Sequence, residues 1–106
     1  MKVIKNKWIP FKGFTAINLF GYVLTKRDKL SKIALTHEAI HTAQMEEMLY
    51  VFFYLWYGVE FIYRLIKLRN RHKAYRSVSF EREAYMYEGF DNYIRQRKPY
   101  HWGIYL

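Results

Sequence analysis

The sequence predicts one α+β domain, mainly helical, that extends over residues 1–106. Hydrophobic residues make up 52% of the chain, which is enough to build a core and too much for a disordered segment. Residues 14–25 are rich in aromatic and β-branched side chains, which favour strands. His37 and His41 are spaced as on one face of a helix, and residues 48–59 form an uncharged run typical of a buried helix.

The first predicted element is a short N-terminal β-hairpin or small sheet within residues 14–25. Gly21 interrupts the apolar residues of this segment, and a glycine there indicates a turn or a bulge. A helix is then expected from about Ser31 to Glu47, with Asp28 or Ser31 as its N-cap. This helix carries both histidines and is the predicted active-site helix.

A long apolar helix is predicted next, from Met48 to Ile66. A membrane span needs about 20 apolar residues, whereas shorter runs fit a core helix or an interfacial segment. Glu60 and Arg64 can pair one helical turn apart, but both would be costly in a lipid core. We therefore expect a core helix with an exposed aromatic face that could lie on a membrane, and not a single membrane span.

The net charge of +9, from 18 Lys and Arg against 9 Asp and Glu, favours anionic partners such as a lipid surface. A solvated basic surface explains the charge equally well. Nucleic acid is not expected, because no recognition-helix pattern or stacking motif accompanies the charge. The basic N-terminus is not followed by a cleavage pattern, so no cleaved signal peptide is predicted. The expected location is the cytoplasm or the periphery of a membrane. Five basic residues follow the apolar run and suit anionic headgroups, or form a solvated loop: Arg64, Lys67, Arg69, Arg71 and Lys73.

Residues 69–78 are expected to form a connection that leads into a helix bearing several glutamates. Ser77 or Ser79 could cap this helix, which would contain Phe80 to Glu88 and end near Gly89.

The chemistry of the chain is concentrated in the segment His37-Glu38-x-x-His41. Two histidines one helical turn apart can supply two ligands of a tetrahedral zinc site. Glu38 lies about 100° round the helix from His37, where its carboxylate can act as a general base without binding the metal. Gln44 faces the same way as the histidines and could orient a ligand or a substrate, or be an amide on the helix surface.

A zinc site with two histidines requires a third protein ligand and an open position for water. The chain has no cysteine, so thiolate ligands are excluded. The candidates for the third ligand are Glu81, Glu83, His72 and His101.

The order His37-Glu38-x-x-His41 followed by Phe80-Glu81-Arg82-Glu83-Ala84-Tyr85 resembles the gluzincin zinc metallopeptidases. The resemblance covers residues 31–89 and is closest to small, uncharacterised members with a His-Glu-x-x-His-x-x-Gln signature. In that clan a glutamate within Glu-x-x-Ala-Asp completes the site, which implies a zincin-like fold with one zinc ion bound by His37, His41 and Glu81. Tyr85 departs from the pattern, because the clan usually has an aspartate there that orients a ligand histidine.

Helical geometry supports the same register independently. Glu81, Ala84, Tyr85 and Glu88 share one face of the predicted helix, whereas Glu83 points about 160° away from Glu81. Glu83 is therefore the alternative metal ligand, and its other expected roles are an ion pair with an arginine or a surface charge.

The resemblance implies a hydrolase that cleaves peptide or protein substrates with zinc-activated water, with Glu38 as the general base. An oxyanion would need a hydrogen-bond donor, for which Tyr85, Tyr75 and His101 are candidates. The predicted strand could pair with an extended peptide. The alternatives are a catalytically inactive zincin-like scaffold and a membrane-associated binding module.

Overall fold

The computed structural model describes residues 2–6, 16–26 and 30–106. It is mainly helical, with one small sheet. The predicted cap Asp28 and the first two residues of the predicted strand segment lie outside the described residues. The elements, in chain order, are β1 (Lys2–Lys5), β2 (Ala16–Leu19), β3 (Tyr22–Thr25), α1 (Lys32–Glu47), α2 (Val51–Leu68), α3 (Arg71–Ser77), α4 (Ser79–Tyr87), the single turn α5 (Tyr93–Gln96) and a 3-10 helix (His101–Tyr105).

The three strands form a sheet in the order β1-β3-β2. β2 and β3 are antiparallel and form the predicted hairpin, while β1, which the sequence did not indicate, pairs with β3 in parallel. The hairpin turn consists of Phe20 and Gly21, both with positive φ (54° and 90°), as tight two-residue turns require. The Tyr54 hydroxyl accepts a hydrogen bond from the Phe20 N–H, which attaches this turn to α2.

Helix α1 begins and ends where the sequence predicted. Ser31 is its N-cap, and the Ser31 hydroxyl accepts a hydrogen bond from the backbone N–H of Ala34. After Glu47 the chain turns through Leu49 and Tyr50, which both have positive φ, and α2 leaves at 110° to α1. The bend brings α2 back over α1 and α4, so that Phe53 enters the core.

The core lies between α1, α2, α4 and the C-terminal 3-10 helix. Its buried residues are Met45, Phe53, Val78, Phe80 and Trp102. The Phe80 ring contacts both Phe53 and Trp102, with ring centroids 4.5 and 4.6 Å apart. Phe80 precedes Glu81, so the packing of this aromatic cluster places the start of α4 against α1.

The structure corrects three expectations about the middle of the chain. Residues 69–78 are not a simple connection, because seven of them form α3 with Asn70 as its N-cap. Neither Ser77 nor Ser79 caps α4 through its side chain. Glu60 of α2 does not pair with Arg64; its carboxylate accepts hydrogen bonds from the backbone N–H and the hydroxyl of Ser79 instead. A carboxylate at a helix N-terminus satisfies free N–H groups and interacts favourably with the helix dipole.

No single helix among the described residues is long and apolar enough to cross a membrane. α1 and α2 together meet the same criteria of length and composition, but only as a pair bent by 110°.

Candidate metal centre

His37 and His41 project from the buried face of α1, one turn apart. Their Nε2 atoms lie 3.1 Å from each other, and the side chains are 9% and 7% exposed. The regular helix that Ser31 initiates makes this spacing possible, because residues i and i+4 stack on one face.

Glu81 of α4 completes a compact group with His37 and His41, and we call these three side chains the metal group. Its Oε1 atom lies 3.1 Å from His37 Nε2 and 3.0 Å from His41 Nε2. Glu60 holds the N-terminus of α4 from α2, two residues before Glu81. The glutamate is thus placed by a neighbouring helix as well as by the core.

Each histidine is oriented through its other ring nitrogen. His37 Nδ1 lies 2.9 Å from the Glu88 carboxylate, and His41 Nδ1 lies 2.8 Å from Gln44 Oε1. Both partners are acceptors, so both Nδ1 atoms carry the proton and donate it. With Nδ1 engaged in this way, each ring directs its Nε2 atom toward Glu81, as in metal-binding histidines.

The orientation of the Gln44 amide is set by its other neighbours. Its Nε2 group donates to the backbone carbonyl of Phe80 and to the carboxylate of Glu83, both at 3.0 Å. Only the amide oxygen then remains for His41. Gln44 is fully buried, so the alternative of a surface amide is wrong.

Glu83 lies outside the metal group and anchors the C-terminal segment. It is fully buried, and its carboxylate accepts hydrogen bonds from Arg97 Nε at 2.6 Å, Arg97 Nη2 at 3.0 Å and the Tyr93 hydroxyl at 2.6 Å. Burial raises the pKa of the Glu83 carboxyl, but hydrogen bonds from Arg97, Gln44 and Tyr93 outweigh burial and lower it. The expected ion pair with an arginine is confirmed, and the expected surface charge is wrong.

Tyr57 of α2 orients the carboxylate of Glu81. Its hydroxyl donates to Glu81 Oε2 at 2.8 Å, which leaves Oε1 directed at the histidines. Burial, followed by the negative charge of Glu81, raises the pKa of the Tyr57 hydroxyl well above its ordinary value. Tyr57 therefore stays protonated and remains a donor.

The chemistry of this group fits a metal ion. Three lone-pair acceptors, two Nε2 atoms and one carboxylate oxygen, converge at 3.0–3.1 Å, an arrangement that is repulsive unless a cation or a proton lies between them. Ligand atoms of a tetrahedral ion with bonds of about 2.0–2.1 Å lie about 3.3 Å apart, close to the observed separations. The buried His37, His41 and Glu81 could thus hold a metal ion.

The electrostatics of the group show the same need for positive charge. Burial opposes protonation of His41, but the Glu81 carboxylate outweighs burial and raises the pKa of His41 to about 9. Burial would raise the pKa of Glu81, yet the two histidines hold it far below its ordinary value. The carboxylate therefore attracts a cation strongly, whether a proton on His41 or a metal ion.

Glu38 lies beside this group without joining it. It is 9% exposed, and the charges of His41, His37 and Glu81 all act on its carboxyl. Burial is the largest influence on Glu38 and raises its pKa. A buried carboxylate with a raised pKa is a better proton acceptor than an exposed one.

The metal group and Glu38 open into a large cavity of about 1230 Å³. One wall is β2, an edge strand within the described part of the sheet. Asn18 of β2 donates from its side chain to the backbone carbonyl of Glu38 at 3.0 Å and to the Thr42 hydroxyl at 2.9 Å. These bonds hold the strand beside the residue that follows His37.

Tyr75 and Tyr85 also line this cavity. Their hydroxyls lie 2.7 Å apart, and the Tyr85 ring packs edge-on against His37, with centroids 4.5 Å apart and an interplanar angle of 69°. The Arg76 guanidinium lies over the Tyr85 ring, 3.6 Å from its centroid. Tyr85 thus lies against His37, and Tyr75 lies next to Tyr85.

Two other predicted candidates are not part of the metal group. His72 of α3 lines the cavity, but it is exposed and packs against Tyr75. His101 lies in an aromatic cluster with Tyr87, Tyr93 and Tyr105, and it is not among the residues that line the cavity.

Sequence reasoning did not place at the centre four residues that organise it. Glu88 lies seven residues after Glu81, so its place on the same helix face was visible in the sequence, and it supplies the carboxylate that Tyr85 lacks. Tyr57, Glu60 and Asn18 act from α2 and β2. Their positions depend on the α1–α2 bend and on the packing of the hairpin against α1, which no local pattern marks.

Comparison of the chain with protein-family models, with curated proteins and with solved structures found no match.

Proposed function

We propose that this chain is a zinc-dependent metallopeptidase of the gluzincin type, with His37, His41 and Glu81 as the zinc ligands. One observation carries the proposal: donor atoms of three side chains from two helices meet within 3.1 Å of one another, beside the buried carboxylate of Glu38. A zincin-like arrangement of two helices, with the histidines on one and the glutamate on the other, accounts for this geometry.

The set of donors favours zinc among the common metals. Two imidazoles and one carboxylate are the protein ligands of many catalytic zinc sites, whereas magnesium and calcium prefer oxygen ligands alone. The hydrogen bonds of Glu88, Gln44 and Tyr57 to the three ligands resemble the outer contacts that orient ligands in zinc enzymes.

In the proposed reaction Glu38 acts first as the general base and then as the general acid. A bound zinc ion supplies Lewis acidity for the scissile carbonyl and for the attacking water. The Glu38 carboxylate accepts the proton of that water and later donates it to the leaving amine. Burial raises the pKa of Glu38, which makes its carboxylate a stronger proton acceptor for the first of these steps.

The remaining cavity walls suit an extended peptide. The edge strand β2 can pair with a substrate backbone, and Asn18 fixes its distance from Glu38. Of the predicted oxyanion donors, Tyr85 is supported best. Its ring contacts His37, and its hydroxyl can donate while that of Tyr75 holds it in place.

Metal content and peptide cleavage test the proposal separately. We expect about one zinc per chain in protein purified without added metal, and loss of that zinc in His37→Ala and His41→Ala variants. We expect cleavage of casein or of a peptide library that stops with a chelator and returns with zinc. Zinc-bearing protein that cleaves no peptide would instead support a non-catalytic scaffold, and wild-type protein without zinc would refute the metal centre.

A further inference from the structure

One face of α2 is apolar and open to solvent along the whole helix. This face consists of eight exposed side chains. At about 100° of rotation per residue, they fall within an arc of about 140° around the helix axis. Their exposed fractions range from 44% to 72%. We call this face the α2 stripe, and its members are Val51, Phe52, Leu55, Trp56, Val59, Ile62, Tyr63 and Ile66.

The fold itself uses little of the α2 stripe: the Trp56 ring contacts the buried Trp102 with centroids 5.8 Å apart, but every member of the stripe is at least 44% exposed. The opposite face of α2 carries Phe53, which enters the core, and Tyr57 and Phe61, which line the metal cavity. Soluble proteins rarely expose apolar patches of more than a few hundred Å² unless the patch binds something. A five-turn helix of about 27 Å with one such face is therefore an interaction surface.

Charge identifies the kind of partner. The exposed basic residues Lys67, Arg69, Arg71 and Lys73 follow at the C-terminal end of the stripe. The only carboxylate of α2 is that of Glu60, which is buried on the other side and bound to Ser79. An apolar stripe that ends in cations, with no exposed acid, is typical of helices that lie in the headgroup region of anionic membranes.

Two aromatic residues of the stripe add to this pattern. Trp56 and Tyr63 have rings with a polar edge, which favour the boundary between lipid and water. The Tyr63 ring lies 5.6 Å from the Arg64 guanidinium and 5.8 Å from the Lys67 ammonium, so that cations and aromatic surface are presented together.

We propose that the α2 stripe and the basic residues after it dock the protein on an anionic lipid bilayer, with α2 parallel to the membrane plane. A second copy of the chain fits the stripe less well, because two proteins of charge +9 repel each other. From α2 the metal cavity is lined by Phe53, Tyr57 and Phe61, which lie on the face opposite the stripe, so the stripe itself does not cover the cavity; of the basic residues, Arg71 also lines it.

Vesicle cosedimentation tests this proposal with the intact protein. We expect binding to phosphatidylcholine vesicles that contain about 30% phosphatidylglycerol, little binding to pure phosphatidylcholine, and release in about 0.5 M salt. The double variant Val59→Glu/Ile66→Glu places two charges in the stripe and should weaken binding by about tenfold or more.

Met86→Glu/Phe90→Glu is the matched control. It changes the net charge equally at two exposed apolar residues outside the stripe, and should retain vesicle binding close to the wild-type level. Because all four residues are exposed, both variants should keep the wild-type circular dichroism spectrum. Equal binding of wild type to neutral and anionic vesicles, or a stripe variant that binds as the control does, would overturn the proposal. So would a wild-type dimer that the stripe variant dissociates, combined with no vesicle binding.

Discussion

Isosteric replacement of Glu81 and of Glu83 by glutamine distinguishes the metal ligand from the structural carboxylate. The two residues lie two positions apart in the sequence, both are buried, and both were candidates for the third zinc ligand. In the structure only Glu81 faces His37 and His41, while Glu83 faces Arg97. We expect Glu81→Gln to abolish zinc binding and Glu83→Gln to reduce stability.

The size of the Glu83 effect follows from its contacts. Arg97 is 5% exposed and forms two hydrogen bonds with Glu83, at 2.6 and 3.0 Å. Breaking a buried pair costs about 3–5 kcal/mol, and we expect about 3 kcal/mol because Glu47 still contacts Arg97 Nη1 at 2.5 Å. At about 4–8 °C per kcal/mol for a domain of this size, Glu83→Gln should lower the Tm by roughly 12–24 °C.

The Glu81 effect appears in the response to zinc. A ligand that binds only the folded state stabilises it by about 4 kcal/mol at 1,000 times its Kd. Wild type and Glu83→Gln should both gain Tm when zinc is added, whereas Glu81→Gln should gain almost nothing because one of three ligands is lost. Thermal unfolding with chelator and then with excess zinc, together with metal content, measures both effects.

The opposite pattern would refute the assignment. If Glu83→Gln lost the zinc-dependent gain and Glu81→Gln kept it, the register of α4 against α1 would be wrong. If both variants responded to zinc as the wild type does, neither glutamate would be a ligand.

Three further predictions follow from other contacts of the centre. Glu38→Gln should retain zinc and lose peptide hydrolysis, since it removes the proton acceptor but no ligand; an equally active variant would exclude the mechanism. Glu88→Gln should weaken zinc binding by about 10–100-fold, because the carboxylate that orients His37 is lost. A competition titration measures the zinc affinity, with the exposed Asp91→Asn variant as the control. Equal zinc affinities of the two variants would contradict this role of Glu88. Glu60→Ala should lower the free energy of unfolding, measured in urea, by about 2 kcal/mol, because the buried N–H and hydroxyl of Ser79 lose their acceptor. The exposed Glu46→Ala is the control and should leave the free energy of unfolding unchanged. Equal losses in the two variants would show that Glu60 does not hold α4.

Local patterns in the sequence were sufficient for the hairpin, for the helices α1, α2 and α4, and for the order of the site residues along the chain. The spacing of His37 and His41 predicted a helix with both imidazoles on one face, and Ser31 predicted its start. The face shared by Glu81 and Glu88 is likewise a property of one helix. Such features depend on residues within about two turns of each other, so helical periodicity determines them.

Long-range contacts account for what sequence reasoning missed. Glutamate is usually a surface residue, so nothing in the sequence indicated that Glu83 is buried. Only the packing of the C-terminal segment brings Arg97 and Tyr93 against it. Glu60 is one turn from Arg64, which made an ion pair within α2 the natural prediction. The position of Ser79 next to Glu60 arises from the passage through α3, and the carboxylate there accepts hydrogen bonds from both the N–H and the hydroxyl of the buried Ser79.

The sequence by itself determined that the chain carries two histidines on one face of a helix, an apolar helix and a helix of glutamates. Only the tertiary structure decided which glutamate meets the histidines and which groups orient them. The 110° bend after Glu47 folds α2 back, so that Tyr57 reaches Glu81 and Glu60 reaches the start of α4. Helical periodicity acts over a few residues, whereas these contacts join residues 19 to 24 positions apart and depend on how the helices pack.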